Sequence, residues 1–300
     1  MKTRRIFLKG SIIFTAMLIS TRPETWAASD EGLDRLNKEI DDRLNDPEFL
    51  ASQRVPGEDA WLTAHFSEVN HGMFGNRRED ITIPEQATQL IIAQEVGGRA
   101  YFDKFHLEHL IYPGGKSGPT FGMGYDIGQL SNDSRGRKNL RDDWDGLLSG
   151  NDLEQLSKGL ALTGTAAQQF SKDNRNIVVD YETGNRQLRE RMLPYLIGDI
   201  FDSLKSKIEN LPSACLGALC SLTYNRGVTF KAPGKNYQEM RNIAFDLVND
   251  DAAAVPGELL AMRRLWPKTS GLYARREIEA KMFQAGLVGA GLPTVPLPLP

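Results

Sequence analysis

A glycine-rich stretch, GPTFGMGYDIG at residues 118–128, decides the fold. Glycine alternates there with Thr, Phe and Tyr, a composition that favours a β-hairpin or small sheet over a helix. The two-residue period of an extended chain sorts the side chains into a polar face with two glycines and an apolar face. The polar face consists of Thr120, Gly122, Gly124 and Asp126, and the apolar face of Phe121, Met123 and Tyr125. The polar face is then a glycine-floored groove that a sugar ring or a water molecule can approach closely, although Asp126 capping a turn is an equal alternative.

Helical periodicity surrounds this stretch on both sides. Upstream, the apolar spacing predicts a helix over residues 84–96, with Pro84 in its first turn and Gly97 at its end. Downstream, the same spacing predicts helices over residues 139–148, 152–160, 185–210, 213–225, 236–249, 257–265 and 272–285. The sequence therefore predicts an α+β fold, with a small β-lobe at about residues 111–130 and a larger helical lobe.

Glu95 is the candidate acid. It follows Ile91 by four residues, so helical spacing places its carboxylate on the apolar stripe of the helix over 84–96. Partial burial and the negative end of the helix dipole both favour a raised pKa, which a general acid needs near neutral pH. An exposed glutamate at a helix end explains the same pattern, so the assignment needs a second observation.

The N-terminus has the features of an export signal. The segment TRRIFLK at residues 3–9 resembles the twin-arginine consensus, and an apolar run follows that is too short to span a bilayer. A cleavage point after Ala27 predicts a periplasmic or secreted protein with no stable membrane span once the signal is removed, and a membrane anchor is the alternative. Removal of residues 1–27 takes five cationic residues and one acidic residue from a chain of net charge −3, which leaves about −7. An acidic chain without a basic stripe argues against nucleic acid as a partner.

The cysteine and histidine content is low. Cys215 and Cys220 lie five residues apart in a predicted helix and point in different directions, so we expect two small core residues rather than a disulfide. His106 and His109 are spaced for a metal, but no zinc-helix motif accompanies them, and the other two histidines are His65 and His71. We therefore expect no metal site.

Four motifs, in order, resemble the phage-type lysozymes of glycoside hydrolase family 24, in particular the branch that includes the lysozyme-like domain of the bacteriocin pesticin. They are EVGGRAYFD at 95–103, SGPTFGMGYDIG at 117–128, LCSLTYNRG at 219–227 and GLYARREIEAKMF at 271–283. The resemblance implies a lysozyme-like fold and an exported muramidase that acts on the glycan strands of peptidoglycan. Whether a protein inhibitor binds the enzyme is left open. The resemblance covers about residues 84–286, which it identifies as the catalytic domain. The residue patterns outside it predict a signal peptide (1–27), an N-terminal helical extension (28–83) without a counterpart in the family, and a Pro-rich tail (287–300).

The resemblance also implies residue roles. Glu95 corresponds to the catalytic acid, and Thr120 and Asp126 hold the attacking water on the other face of the sugar. Arg275 corresponds to an arginine that packs near the acid, and Asn225 to the asparagine at the end of the central helix. The implied reaction is inverting hydrolysis of the β-1,4 bond between N-acetylmuramic acid and N-acetylglucosamine, which needs no metal and no organic cofactor. Further residues expected to bind or support the substrate are Tyr125, Gly122 and Gly124.

Several alternatives stay open. Asp103 is a second candidate for the other carboxylate. A lytic transglycosylase needs only one carboxyl group, because the muramic 6-hydroxyl replaces water, and a non-catalytic peptidoglycan-binding module needs only the groove. The charged run at 275–281 predicts a solvated helix face with the pairs Arg275–Glu279 and Glu277–Lys281, and only the resemblance assigns Arg275 more than that.

Overall fold

The computed structural model describes residues 30–52, 76–115, 117–204 and 208–297. The predicted export signal, His65 and His71 lie outside these ranges. The described residues are mostly helical and form one small two-stranded antiparallel sheet, which agrees with the predicted α+β composition.

Thirteen α-helices account for most of the described residues. They are α1 (Asp30–Leu44), α2 (Pro47–Ser52), α3 (Glu85–Val96), α4 (Gly98–Lys104), α5 (Ser134–Trp144), α6 (Gly150–Leu156), α7 (Gly164–Asp173), α8 (Tyr181–Gln187), α9 (Leu193–Leu204), α10 (Ser213–Arg226), α11 (Gln238–Val248), α12 (Val255–Ala261) and α13 (Gly271–Gly289). A π-helical turn, Leu188–Met192, joins α8 to α9. Two of the helices, α4 and α7, are not among those that the apolar spacing predicts.

The core of the helical lobe is the pair α10 and α13. Both helices are buried around most of their circumference, because α3, α9 and α13 surround α10 while α1, α10 and α12 surround α13. Cys215 and Cys220 are free, buried core residues on α10, as the sequence predicts. Burial raises the pKa of the Cys215 thiol to about 12, which suppresses its reactivity.

The described part of the N-terminal extension belongs to the same core. Ile40 of α1 and Phe49 of α2 are buried with the apolar residues of α3 and α13. Polar contacts reinforce the packing, since Gln86 Nε2 donates to Asp41 Oδ1 at 2.7 Å. These helices therefore cover the helical lobe and do not form a separate unit.

The sheet is a hairpin of β1 (Thr120–Phe121) and β2 (Tyr125–Asp126), with Thr120 opposite Asp126 and Phe121 opposite Tyr125. Residues 122–124 form the turn, in which Gly122 and Gly124 have φ of +58° and +82°. The predicted continuous face of four residues is therefore wrong. A turn with two left-handed glycines interrupts the alternation, although the cross-strand pairing still keeps Thr120 and Asp126 on one face.

Aromatic packing attaches the hairpin to the rest of the chain. The rings of Phe121 and Tyr125 pack on Trp144 of α5, with centroid distances of 4.9 and 5.4 Å. On the other edge, Thr120 exchanges two backbone hydrogen bonds of 2.9 Å with Ile111. The hairpin is thus fixed on both sides. No helix in the described ranges has the length and apolar character needed to cross a bilayer.

Candidate functional site

Glu95 lies in the last turn of α3, where the helix ends at a glycine. Gly97 adopts the left-handed conformation (φ +66°) and donates its N–H to the carbonyl of Ala93 at 2.8 Å, so the chain turns sharply into α4. Glu95 itself is partly exposed, whereas its neighbour Val96 is buried. The helix end therefore presents the Glu95 carboxylate at the edge of the core.

The Glu95 carboxylate lies against the turn of the hairpin. A β-carbon added to Gly124 would stand 2.6 Å from Glu95 Oε2, well inside van der Waals contact. The left-handed backbone favours glycine at this position, and any side chain there would displace the Glu95 carboxylate. Residues from two of the family-like motifs, 95–103 and 117–128, thus meet at one point.

The helical lobe reaches the same point through Tyr224 and Arg275. The Tyr224 hydroxyl donates to the carbonyl of Met123 at 3.3 Å, which connects the end of α10 to the hairpin turn. Burial, and after it the negative charge of Glu95, raise the pKa of Tyr224. Burial lowers the pKa of the Arg275 guanidinium, and the charges of Glu279 and Glu95 oppose that shift. Glu95 therefore lies where α3, the hairpin, α10 and α13 converge.

A buried charged network lies behind this point. Glu279 Oε1 accepts hydrogen bonds from Ser221 Oγ at 2.6 Å, Arg275 Nε at 3.0 Å and Arg276 Nη2 at 3.0 Å. Arg276 Nη2 also reaches Asn225 Oδ1 at 3.3 Å. The single carboxylate of Glu279 thus accepts hydrogen bonds from two fully buried guanidinium groups. The network of Arg275, Arg276 and Glu279 therefore has a net positive charge, and it lies beside Glu95.

The predicted solvated face of α13 is wrong for Arg275, Arg276 and Glu279, which have no exposed surface. The Arg275–Glu279 pair forms at 3.0 Å but in the interior, and only the Glu277–Lys281 pair, also at 3.0 Å, is half-exposed. The signal was present, because Arg276 and Glu279 fall on the apolar stripe that Leu272 and Phe283 define at helical spacing. Neither Ser221 nor Tyr224 was predicted from the sequence as a residue of the site.

Asp126 is held by donors of its own loop. Its two oxygens accept the backbone N–H of Gly118 at 3.0 and 3.1 Å, the N–H of Gly128 at 2.8 Å and Gln129 Nε2 at 3.2 Å. Burial raises the pKa of Asp126, while these hydrogen bonds oppose the rise. The hydroxyl of its partner Thr120 donates to the carbonyl of Gly118 at 3.2 Å. Both side chains therefore stabilise the base of the hairpin.

Tyr125 and Gly122 face away from Glu95. The Tyr125 hydroxyl donates to Asp143 Oδ2 at 2.6 Å within the core below the hairpin. Gly122 packs against α8, where a β-carbon on Gly184 would stand 3.1 Å from Gly122 Cα. Asn225 is buried and bonded to Arg276. These three residues support the architecture and do not line the Glu95 site.

Asp103 lies in a separate cleft of about 230 Å³ beside α4. Arg99 lines the cleft, with Nε 3.5 Å from Asp103 Oδ2 and the guanidinium 5.1 Å from the Tyr181 ring centre. The described residues that line this cleft are Arg99, Phe102, Asp103, Glu108, Val178, Asp180 and Tyr181. The structure therefore places Asp103 apart from the contact between Glu95 and Gly124.

The described residues contain no cluster of three or more His, Cys, Asp or Glu side chains able to hold a metal ion. His106 Nδ1 lies 3.2 Å, and His109 Nε2 3.6 Å, from the same oxygen of Glu108. His106 is therefore within hydrogen-bond distance of Glu108, and His109 lies close to the same carboxylate.

Comparison of the chain with protein-family models, with curated proteins and with solved structures gave no match. The family resemblance therefore rests on the four sequence motifs, three of which supply groups that converge on Glu95.

Proposed function

We propose that the chain is a peptidoglycan muramidase with a lysozyme-like fold, which cleaves the β-1,4 bond between N-acetylmuramic acid and N-acetylglucosamine. The observation that carries the proposal is the approach of Glu95 Oε2 to the backbone of Gly124. It joins a partly exposed carboxylate at a helix end to a glycine turn, and a sugar ring can approach a glycine backbone closely.

In this proposal Glu95 donates the proton. Its carboxyl group protonates the glycosidic oxygen as the bond to the muramic carbon breaks, and positive charge develops on the sugar ring. Arg275 and Tyr224 both lie within electrostatic reach of this carboxyl group, and the Tyr224 hydroxyl also donates to the hairpin turn at Met123. The excess positive charge of the network below stabilises the carboxylate that remains after proton transfer.

For hydrolysis, Thr120 and Asp126 are the candidates that hold the attacking water. Their cross-strand pairing places a hydroxyl and a carboxylate side by side, and an inverting reaction needs the two carboxyl groups about 6.5–9.5 Å apart. Each oxygen of Asp126 already accepts hydrogen bonds from its own loop. Activation of water by Asp126 therefore has to use the remaining lone-pair directions of a structural carboxylate.

The hydrogen bonds that already occupy both oxygens of Asp126 favour a second candidate, a lytic transglycosylase on the same scaffold. The reaction needs only Glu95. Its carboxyl group protonates the glycosidic oxygen as the glycosidic bond breaks, and the resulting carboxylate accepts the proton of the muramic 6-hydroxyl as that oxygen bonds to its own anomeric carbon and leaves an anhydro end. Asp126 then has a purely structural role, which agrees with its hydrogen bonds to the backbone of its own loop. The export signal proposed for residues 1–27 brings either enzyme to the periplasm or the medium, where peptidoglycan is found.

A digest of purified peptidoglycan in heavy-oxygen water separates the two reactions. The chain lacking residues 1–27 is compared with Glu95→Gln and with Glu85→Gln, and the released muropeptides are analysed by mass spectrometry. Glu85 is the matched control, because it starts the same helix but lies on the surface in a pair with Arg189.

Reducing muramic ends that carry heavy oxygen, made by wild type and Glu85→Gln but not by Glu95→Gln, support the muramidase. Anhydro-muramic ends without heavy oxygen support the transglycosylase. Binding to the sacculus without any released product contradicts both and identifies a binding module.

A further inference from the structure

Tyr224 connects the helical lobe to the hairpin turn beside Glu95. It is the only aromatic residue of α10, and it lies two residues before the end of that helix. The hydroxyl of its neighbour Thr223 stays within the helix, where it donates to the carbonyl of Leu219 at 2.7 Å. The Tyr224 hydroxyl instead leaves the helix and donates to the carbonyl of Met123 at 3.3 Å. This hydrogen bond therefore joins two parts of the chain that are 101 residues apart in sequence.

The carbonyl that accepts this bond belongs to the turn that touches Glu95. Met123 is the middle residue of the turn, between Gly122 (φ +58°) and Gly124 (φ +82°). The Met123 carbonyl and the Gly124 nitrogen share one peptide group, and a β-carbon on Gly124 would stand 2.6 Å from Glu95 Oε2. Because glycine gives the backbone unusual freedom, a turn with two glycines depends on outside contacts for its position. Tyr224 supplies such a contact at the peptide group next to Glu95.

The Tyr224 hydroxyl also acts on the protonation of Glu95. A tyrosine hydroxyl has one hydrogen to donate, and here the Met123 carbonyl receives it. The Tyr224 oxygen therefore presents only lone pairs to its other neighbours, among which Glu95 and Arg275 lie within electrostatic reach. Lone pairs disfavour a nearby carboxylate and favour the protonated carboxyl group. The arrangement thus favours the form of Glu95 that can donate a proton.

We infer that Tyr224 is a positioning residue, whose hydroxyl fixes the turn at residues 122–124 and, through that turn, the carboxyl group of Glu95. Its effect on the reaction rests on the proposed function, whereas the contact between the two lobes does not. The distance of 3.3 Å is long for a hydrogen bond between two oxygens, and such bonds at catalytic sites often shorten when the substrate binds. We therefore expect the bond to act on turnover more than on substrate binding.

The first test compares Tyr224→Phe with Tyr112→Phe. Each variant keeps the aromatic ring and removes one hydroxyl, and the Tyr112 hydroxyl makes the same kind of bond outside the turn, to the carbonyl of Gly115 at 2.9 Å. For the release of muropeptides from soluble peptidoglycan fragments, we expect Tyr224→Phe to lower kcat about tenfold and to change KM by less than about twofold. We expect Tyr112→Phe to match wild type in both constants.

A double-mutant cycle tests whether Tyr224 acts through the turn. Gly124→Ala displaces the Glu95 carboxyl group directly, so a further loss of the Tyr224 hydroxyl has little left to change. We expect the double variant Tyr224→Phe/Gly124→Ala to turn over at about the rate of Gly124→Ala alone, roughly a hundredfold below wild type. Independent effects would multiply to about a thousandfold and would contradict a role through the turn.

A second readout needs no enzymatic activity. The Glu95 carboxyl carbon is titrated by nuclear magnetic resonance in wild type, Tyr224→Phe and Tyr112→Phe, and it is assigned with Glu95→Gln. We expect the titration midpoint to fall by about half a pH unit in Tyr224→Phe, because the lone pairs are removed and a looser turn admits water to the carboxyl group. The midpoint in Tyr112→Phe should equal that of wild type.

An unchanged midpoint in Tyr224→Phe, or a shift of the same size in Tyr112→Phe, overturns the inference. Equal values of kcat for the two variants, or a loss that appears in KM instead of kcat, also overturns it. If wild type releases no muropeptides, the proposed function fails, and the titration alone decides whether Tyr224 positions Glu95. A failure of the proposed function therefore appears separately from a failure of the positioning role.

Discussion

On the hairpin side of the candidate site, the carboxylate of Asp126 is held by neutral donors, chiefly the backbone N–H groups of Gly118 and Gly128. On the helical side, the carboxylate of Glu279 is held by two guanidinium groups and a hydroxyl. The hydrogen bonds to Asp126 hold a loop in place without a counter-charge. The Glu279 network holds Arg275, Arg276 and Ser221 in place and buries two positive charges with it. Removing Glu279 therefore costs more stability than removing Asp126.

The largest expected effect comes from removing the carboxylate that both buried arginines, Arg275 and Arg276, share. Glu279→Gln leaves Arg275 and Arg276 buried without their carboxylate, and we expect a loss of about 3–5 kcal/mol in the free energy of unfolding. The control is Glu277→Gln, a partly exposed neighbour on the same helix that pairs with Lys281 and Arg263 near the surface, and it should cost less than about 1 kcal/mol. Urea denaturation checks both values, and equal losses would contradict the contrast.

The contact between the two sides is tested at Gly124. In Gly124→Ala the new methyl group meets Glu95 Oε2, so the carboxyl group has to move, and we expect about a hundredfold lower turnover. Gly146→Ala is the control, because Gly146 has a similar φ of +71° but nothing within 4 Å of an added β-carbon. The two variants share the backbone strain, so equal loss of turnover in both would show that strain alone is responsible.

On the hairpin side, Asp126→Asn replaces one acceptor oxygen by an amide that cannot receive the backbone donors. We expect a loss of about 1–3 kcal/mol in the free energy of unfolding, below that of Glu279→Gln. Turnover measured well below the unfolding temperature then separates the two reactions. A severe loss supports water activation by Asp126, and near-wild-type turnover with anhydro products supports the transglycosylase.

The smallest effect concerns the Tyr125–Asp143 bond beneath the hairpin. Burial raises the pKa of Asp143 from 3.8 to about 6, and the opposing influences are Tyr125, Arg77 and Arg191. The folded chain then binds the proton more tightly than the unfolded chain, so stability falls as the pH rises from about 4 to 6.

We expect this fall to be about 1–3 kcal/mol at most, and to be lost in Asp143→Asn. The exposed Asp145 provides the control, since Asp145→Asn should keep the pH dependence of wild type. Unfolding curves across this pH range check the prediction, and an unchanged slope in Asp143→Asn would contradict it.

The sequence predicted the helical elements well wherever apolar spacing was strong. The predicted helix over 213–225 corresponds to Ser213–Arg226, and that over 272–285 to Gly271–Gly289. It did not predict α7, whose segment GTAAQQFSKD has too few large apolar residues for a clear stripe. The π-helical turn at Leu188–Met192 depends on tertiary packing and has no local signal.

The candidate site was only partly predictable. The position of Glu95 on an apolar stripe indicated a carboxylate with a special environment, and the glycine run indicated a close approach, but not that Gly124 alone makes it. The turn at 122–124 turns Gly122 toward α8, which a uniform two-residue period cannot show. Likewise, Arg276 and Glu279 lie on the apolar stripe of α13, which predicts that they are buried. Their charge instead favoured the prediction of a solvated face.

The central claim is that Glu95, held between the hairpin turn and the helical network, is the acid that cleaves the glycan. The most direct test is the rate of muropeptide release by Glu95→Gln relative to Glu85→Gln under identical conditions. We expect a drop of about a thousandfold for Glu95→Gln with its unfolding transition preserved, because the amide fills the same space but has no proton to donate. Wild-type release of muropeptides by Glu95→Gln would contradict the account.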